Sequence, residues 1–108
     1  MEDVRAACEN AKQHGRGGAL HSVDWLLTIA RLLLWLREGR LSSKSEAADW
    51  AYGHAHGAWR EFLPQAKRLR LNPSLAAAPE VQRWLDSLTD PIRQACAELE
   101  HEIAQPRG

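Results

Sequence analysis

A single apolar segment constrains this chain more than any other feature. Residues Trp25 to Leu36 read WLLTIARLLLWL, and Arg31 is the one charged residue among them. A helix that is apolar on every side is normally buried inside a protein, so the segment predicts a central, buried helix. Because a buried guanidinium is costly unless an anion meets it, Arg31 then predicts an anionic partner.

That anion has two candidate sources. One is a carboxylate of this chain, such as Glu38, Asp49 or one of the glutamates near the C-terminus. Such a pair would be purely structural. The other source is a ligand, which would make Arg31 part of a binding site. The residues alone leave both sources open.

The rest of the chain also predicts helices. Apolar residues recur at spacings of three and four, without sustained two-residue alternation. We therefore expect an all-α fold, a compact bundle of about five helices around the central apolar helix, in one domain over residues 1–108. The predicted segments are Val4–Gln13, Ser22–Glu38, a third helix opened by the Ser43 and Glu46 capping box, a fourth opened by Pro64, and a last one from Pro79 to Ile103.

Glycine and proline mark the breaks between these helices. Residues 15–18 include three glycines and predict a flexible link, and Gly39 predicts a left-handed helix end. Asn72-Pro73 predicts the end of the fourth helix. Asp90-Pro91 predicts a kink or a restart within the last segment.

Charge balance and apolar run length argue against several classes of protein. The chain has 14 basic and 14 acidic residues, so no overall field attracts nucleic acid or an anionic membrane, and we expect neither as a partner. The apolar run is too short to span a bilayer. Met1 is followed by Glu2 and Asp3 rather than by the basic start of a signal peptide. These features predict a cytoplasmic protein.

The two cysteines have no metal-ligand spacing. Cys8 and Cys96 are far apart in the chain and no CxxC motif occurs. We interpret both as small buried apolar groups in a reducing cytosol, with a disulfide between them as the less favoured alternative.

Several other polar groups have ordinary structural explanations. His54 and His56 are two residues apart, so their rings point apart on a helix, and no third ligand is near. We expect a helix-end role for them and no metal site. The five tryptophans are expected to lie mostly in the core. Two charged runs predict solvated faces, namely Lys67, Arg68 and Arg70, and Glu98, Glu100 and Glu102.

One segment carries a resemblance to a known family. Residues 28–51 read TIARLLLWLREGRLSSKSEAADWA. This pattern resembles the C-terminal helical domain of the aminoglycoside nucleotidyltransferases that adenylylate streptomycin and spectinomycin. The resemblance fades after Asn72. The residues that carry it are Ala30-Arg31, Trp35, Gly39-Arg40-Leu41, Lys44 and Ala47-Ala48-Asp49-Trp50-Ala51.

The resemblance implies one half of an antibiotic-resistance transferase. In that family an N-terminal nucleotidyltransferase domain binds magnesium and ATP. The helical domain closes over it, with antibiotic and nucleotide in the cleft between them. By position, Arg31 and Lys44 match residues whose side chains reach the triphosphate of ATP. The resemblance thus implies a phosphate as the anion for Arg31, and arginine and lysine suit phosphate by geometry and charge. It also implies an aminoglycoside-like small molecule as a further ligand.

The chain also departs from the family pattern. No Gly-Ser and paired-carboxylate motif precedes Arg31, so we expect no catalytic residue, no cofactor and no transfer activity in the isolated chain. ATP and magnesium are implied only with a nucleotidyltransferase domain. The drug-binding acids of the family fall at Gly17 and His21, with Asp24 the nearest carboxylate, and a family tyrosine falls at Arg70. His21, Asp24 and Arg70 are therefore candidate substrate-facing residues.

Two other functions stay open on the sequence. One is a helical partner of a minimal nucleotidyltransferase in a toxin–antitoxin pair, some of which are ribonucleases with an Arg-x(4–6)-His motif. Residues Arg16 to His21 have that spacing, and an RNase assay of His21→Ala would test it. The other is a domain that only packs against a partner, or against a second copy in a homodimer, through an exposed apolar face.

Overall fold

The regular structure of the described chain is helical. The computed structural model describes residues 2–14 and 20–105. These residues form six α-helices and two short 3₁₀ helices, and no strand occurs among them. The all-α prediction is confirmed, whereas the predicted glycine link at residues 15–18 lies outside the described ranges. The α-helices are α1 (Glu2–His14), α2 (Leu20–Glu38), α3 (Lys44–His54), α4 (Leu63–Leu71), α5 (Pro79–Asp86) and α6 (Thr89–Ala104), and the 3₁₀ helices span Ala58–Phe62 and Pro73–Ala77.

The last predicted segment is two helices, so the described residues hold six α-helices where about five were expected. A tight turn separates α5 from α6, in which the N–H of Leu88 donates to the carbonyl of Leu85 over 3.2 Å. Pro91 lies in the first turn of α6, where its missing N–H leaves no helical hydrogen bond unmade. The predicted restart near Asp90-Pro91 is therefore confirmed.

Helix α2 is the centre of the fold, as predicted. It packs against α1, α3, α4 and α6. Full burial of a large aliphatic side chain contributes about 1.5–3 kcal/mol, so α2 is a main source of stability. Its buried side chains are Ser22, Val23, Leu26, Leu27, Ile29, Ala30, Leu33, Leu34 and Leu36.

The prediction that Arg31 is buried is wrong. One side of α2 is exposed, and Arg31 lies on it together with Asp24 and Trp35. The neighbouring helices cover the other sides of α2. Apolar composition alone could not reveal that one side of α2 is exposed. The described helices that pack against α2 leave some of its apolar residues, such as Trp35, in contact with solvent.

Arg31 also lacks the internal partner that was considered for it. Among the side chains that the structure describes, no carboxylate forms an ion pair with its guanidinium. Glu38, Asp49 and the glutamates near the C-terminus therefore do not neutralise it in the described structure. Its charge faces solvent.

Helix α3 runs in the same direction as α2. Lys44, at the start of α3, lies beside Asp24 near the start of α2, with 3.5 Å between Nζ and Oδ1. At the other end, Nη1 of Arg37 donates to the backbone carbonyl of His54 over 3.2 Å. An antiparallel hairpin would place the start of α3 beside the end of α2. The connection between the two helices must therefore return along α2.

The sequence of this connection explains how it returns. Gly39 ends α2 with φ of +71°, the left-handed conformation predicted there and adopted readily by glycine. Ser43 then opens α3. Its Oγ accepts from the N–H of Glu46 over 3.1 Å and donates to Oε1 of the same residue over 3.2 Å. The predicted N-cap at Ser43 is confirmed, and Glu46 closes the pair by accepting from the Ser43 hydroxyl where a capping box would have it accept from the backbone N–H.

Cys8 and Cys96 are free, buried thiols that join α1 to α6. The Sγ of Cys96 lies 3.6 Å from the backbone oxygen of Cys8. Hydrogen bonding to Cys8 and burial together raise the pKa of Cys96 far above its ordinary value, so this thiol stays protonated and is no nucleophile. The prediction of small buried apolar groups is confirmed.

The tryptophans divide into core and surface. Trp59 is fully buried, whereas Trp35 is 40% exposed. Trp25, Trp50 and Trp84 are partly buried and pack against the core. Trp35 is four residues from Arg31 and lies on the same side of α2.

Among the described helices, none combines the length and the apolar composition needed to cross a bilayer.

Candidate functional site

The exposed side of α2 carries a row of residues at helical spacing, which we call the outer face of α2. Its members are Leu20, Asp24, Thr28, Arg31 and Trp35, three or four positions apart, so they lie along one side of the helix. The row mixes charge with exposed apolar surface, because Leu20 is 39% exposed. Trp35, at 40% exposed, lines one cavity together with Leu41, at 80% exposed, and apolar side chains grouped in this way on a surface mark a place of contact.

Asp24 joins three helices at one end of the outer face. Its Oδ1 lies 3.5 Å from Nζ of Lys44, on α3, and 3.3 Å from Nη1 of Arg70, on α4. We call these three residues the Asp24 cluster. The side chain of Lys44 is 20% exposed and that of Arg70 is 41% exposed. Two cations around one carboxylate leave an excess of positive charge, which attracts anions.

Two small cavities open along the outer face. One, of about 260 Å³, adjoins the Asp24 cluster and is lined by Leu20, Val23, Asp24, Leu69, Arg70 and Pro73. The other, of about 180 Å³, lies further along α2 and is lined by Thr28, Arg31, Leu32, Trp35, Leu41 and Ser42. The α2–α3 connection supplies the last two residues. Each cavity therefore pairs an arginine with apolar walls.

The predicted site residues lie on α2 or in contact with Asp24 near its start. Asp24, Lys44 and Arg70 are in contact, and Arg31 lies on the same face of α2 about 10 Å further along the axis, at 1.5 Å per residue. His21 is exposed in the first turn of α2. The resemblance had also placed a family acid at Gly17, which is outside the described residues.

Sequence reasoning missed the contacts within the Asp24 cluster. Asp24 is 20 residues from Lys44 and 46 from Arg70, and no local pattern carries contacts over such separations. It also missed the exposure of Leu41, which is 80%. The four-residue spacing of Trp35 from Arg31 was a usable signal, because it places both on one helix face.

A second polar cluster is structural and surrounds Glu98 on α6. Its carboxylate accepts hydrogen bonds from Nε1 of Trp59 over 2.9 Å, and from the backbone N–H groups of His56 and Gly57 over 2.9 Å. Nη2 of Arg37 lies 3.0 Å away. The side chain of Glu98 is only 10% exposed. The predicted solvated face at this residue is therefore wrong.

Arg37 is the shielded cation of α2, a role that the sequence assigned to Arg31. Its side chain is 17% exposed, and its Nε lies 3.3 Å from Oε1 of Glu102. The two arginines are six residues apart and so about 120° apart around the helix. Arg37 therefore meets α6, and Glu102, like Glu98, is not on a solvated face. Glu100 is exposed as predicted.

The environment of Glu98 shifts its pKa. Burial raises the pKa because it penalises the charged carboxylate. The hydrogen bonds that it accepts, from Trp59 first and then from His56, Gly57 and Arg37, outweigh burial and hold the pKa below its ordinary value of 4.5. The ionised form is thus the one that the folded protein prefers.

This shift predicts how acid acts on stability. A carboxyl whose pKa is lower in the folded state contributes stability that is present above the unfolded pKa and is lost as pH falls through the folded pKa. The free energy of unfolding of the wild type should therefore exceed that of Glu98→Gln. This difference should shrink as the pH falls below 4.5, the ordinary pKa of the carboxyl group. Urea unfolding of both proteins at several pH values measures this margin. A margin that stays constant on acidification would contradict the shift.

The remaining polar groups keep structural roles. Nδ1 of His54 bonds to the backbone oxygen of Trp50 over 2.7 Å, and the two rings stack at 4.9 Å, which confirms the predicted helix-end role. Lys67 pairs with Asp49 over 2.8 Å at an exposed position of α4. The described residues contain no group of three or more histidine, cysteine, aspartate or glutamate side chains placed to hold a metal.

Comparison with known proteins gives one match. A family model described as "Aminoglycoside adenylyltransferase, C-terminal domain" matches residues 1–98. The match continues beyond Asn72, where the resemblance of the motifs fades, and includes all five predicted site residues. Comparisons with curated proteins and with solved structures give no match.

Proposed function

Because the chain belongs to the family of aminoglycoside adenylyltransferase C-terminal domains, we propose that it binds the triphosphate of ATP at a junction with a nucleotidyltransferase domain. Arg31 and Lys44 are the proposed phosphate ligands. The cleft-facing wall of this domain, with His21, Asp24 and Arg70 as its candidate residues, would select the acceptor, an aminoglycoside-like molecule. The described residues hold no set of carboxylates for magnesium, so the metal would be held by the nucleotidyltransferase domain.

The exposed charge of Arg31 is the observation that carries this proposal. A solvent-exposed arginine needs no partner for stability. Arg31, however, lines a cavity of about 180 Å³ together with Trp35. A guanidinium beside apolar walls is well placed to hold a phosphate that a second domain brings, because burial on association strengthens the charge interaction. Arg31 offers two parallel N–H donors, and Lys44 offers a mobile point charge.

The direction of α3 supports the same proposal. A parallel α3 puts Lys44 on the exposed side of α2 beside Asp24, whereas an antiparallel α3 would carry it to the far end of α2. The extended connection also exposes Leu41 beside Trp35. These two apolar side chains are the proposed contact with the nucleotidyltransferase domain, since apolar surface of this kind is favourable to bury on association.

Calorimetric titration of ATP and magnesium tests the proposed ligands. The isolated chain should bind ATP weakly or not at all, and binding should strengthen when a nucleotidyltransferase domain of this family is present. In that mixture, Arg31→Ala should weaken ATP binding by about ten- to a hundredfold, as expected for lost hydrogen bonds to a charged group. Lys44→Ala should weaken it by about fivefold or more.

Arg68→Ala is the matched control. Arg68 is exposed on α4 and donates to Gln65 over 3.2 Å, and it lies about 200° around the helix from Arg70. Its removal deletes the same charge outside the proposed junction, so ATP affinity should change by less than about twofold. Unchanged affinity in both Arg31→Ala and Lys44→Ala would defeat the proposal.

A further inference from the structure

Asp24 occupies the place where an anion would meet the two cations of the Asp24 cluster. One of its oxygens, Oδ1, lies within 3.5 Å of both Lys44 and Arg70. The side chain of Asp24 is 52% exposed, so neither cation is sealed from solvent. A carboxylate that two cations share resembles a bound phosphate oxygen in charge and in acceptor geometry.

An incoming phosphate must compete with this carboxylate. Lys44 would have to turn from Oδ1 of Asp24 or share its charge between two anions. The fixed negative charge would also repel the incoming phosphate. Because exposed ion pairs are weak, each contributing about 0–1 kcal/mol to stability, a ligand of high charge can displace Asp24, whereas a singly charged anion gains too little from the same contacts.

We propose that Asp24 is an internal counterion that holds Lys44 and Arg70 in the free chain and is displaced by a polyphosphate. This inference rests on the proposed function and deepens it in two ways. It makes Arg70 a third cation available to the phosphates, and it makes Asp24 a residue that lowers the affinity of these cations for polyphosphate.

Asp24 has two roles in principle. As a counterion, Asp24 weakens anion binding, so its neutralisation strengthens that binding. As an acceptor for an ammonium group of a drug, Asp24 would also support drug binding, which a titration with anions does not measure. The change in anion affinity therefore tests the counterion role alone.

The test is an NMR titration of the 108-residue chain with inorganic tripolyphosphate at low ionic strength, which measures weak binding directly. Asp24→Asn should bind tripolyphosphate about three- to tenfold more tightly than the wild type, as expected for the loss of one unscreened exposed charge. The same substitution should strengthen binding of inorganic monophosphate by a smaller factor, because the repulsion that it removes is proportional to the charge of the ligand.

Asp49→Asn is the matched control, since Asp49 forms an exposed ion pair with Lys67 over 2.8 Å outside the Asp24 cluster. It should change the affinity for tripolyphosphate by less than about twofold. An equal gain in Asp49→Asn would overturn the counterion role by assigning the effect to net charge. Unchanged or weaker binding in Asp24→Asn would also overturn it.

Further variants show which proposal has failed. If Asp24→Asn has no effect while Arg31→Ala and Lys44→Ala weaken tripolyphosphate binding, the counterion role is wrong and the proposed function stands. If none of these variants changes the affinity, or no variant binds tripolyphosphate, the counterion role is wrong, and the titration of ATP in the presence of a nucleotidyltransferase domain then decides the proposed function by itself. Arg70→Gln should weaken the binding of Asp24→Asn but should have less effect in the wild type, where Asp24 already holds Arg70.

Discussion

Replacing Glu98 by alanine is expected to lower the free energy of unfolding by about 3–5 kcal/mol, the cost of leaving the other members of a buried charged network without their partner. The substitution would deprive the indole N–H of Trp59 and the backbone N–H groups of His56 and Gly57 of one acceptor. It would also remove a carboxylate from Arg37, which is 17% exposed. Urea unfolding, followed by far-ultraviolet circular dichroism, measures the change.

Glu100→Ala is the control for this prediction, because Glu100 is also on α6 and the substitution also replaces a glutamate by alanine. Glu100 is 47% exposed and its carboxylate is 3.4 Å from Nζ of Lys12. An exposed pair of this kind contributes little, so we expect a change within about 1 kcal/mol. Equal losses in Glu98→Ala and Glu100→Ala would show that the network around Glu98 contributes nothing beyond an exposed charge.

The second large effect is expected at Gly57, where alanine should cost about 2–3 kcal/mol by overpacking and by disturbing a buried hydrogen bond. A Cβ at this position would lie 2.7 Å from Cδ1 of Trp59 and 3.6 Å from Oε1 of Glu98. Trp59 is fully buried, so its ring has no free space to move into. Urea unfolding of Gly57→Ala again gives the cost.

Gly53→Ala provides the opposite expectation for the same substitution. Gly53 lies within α3, and a Cβ there would meet nothing within 4 Å. Alanine has the higher helix propensity, so the variant should gain about 0.5 kcal/mol. A loss at Gly53 similar to that at Gly57 would mean that the indole of Trp59 is not the obstacle.

The Glu98 network lies at the other end of α2 from the Asp24 cluster. Arg37 binds both Glu98 on α6 and one backbone carbonyl at the end of α3, that of His54. It thereby fixes the end of α3 against the end of α2, and Lys44 lies beside Asp24 at the start of these two parallel helices.

Much of the candidate site was predictable because its signals are local. The resemblance identified Arg31 and Lys44 from residue types at fixed spacing, and the positions of Asp24 and Arg70 followed from counting along the same pattern. That three of these residues touch was not predictable, since the contacts join α2, α3 and α4. Their role toward phosphate stays a prediction that the titrations above test.

The sequence by itself determined the local structure. The spacing of apolar residues specified the helices, the Ser43 and Glu46 pair specified the start of α3, and Gly39 specified the end of α2. Each of these depends on hydrogen bonds and backbone angles within a few residues.

Only the tertiary structure decided which side of each helix meets solvent. It placed Arg31 outside and Arg37 against α6, reversed the expected exposure of Glu98, and turned α3 parallel to α2. The physical reason is that a guanidinium or a carboxylate has the same local propensity in either environment. Its burial depends on whether a distant segment brings a partner of opposite charge, and helical periodicity carries no information about that partner.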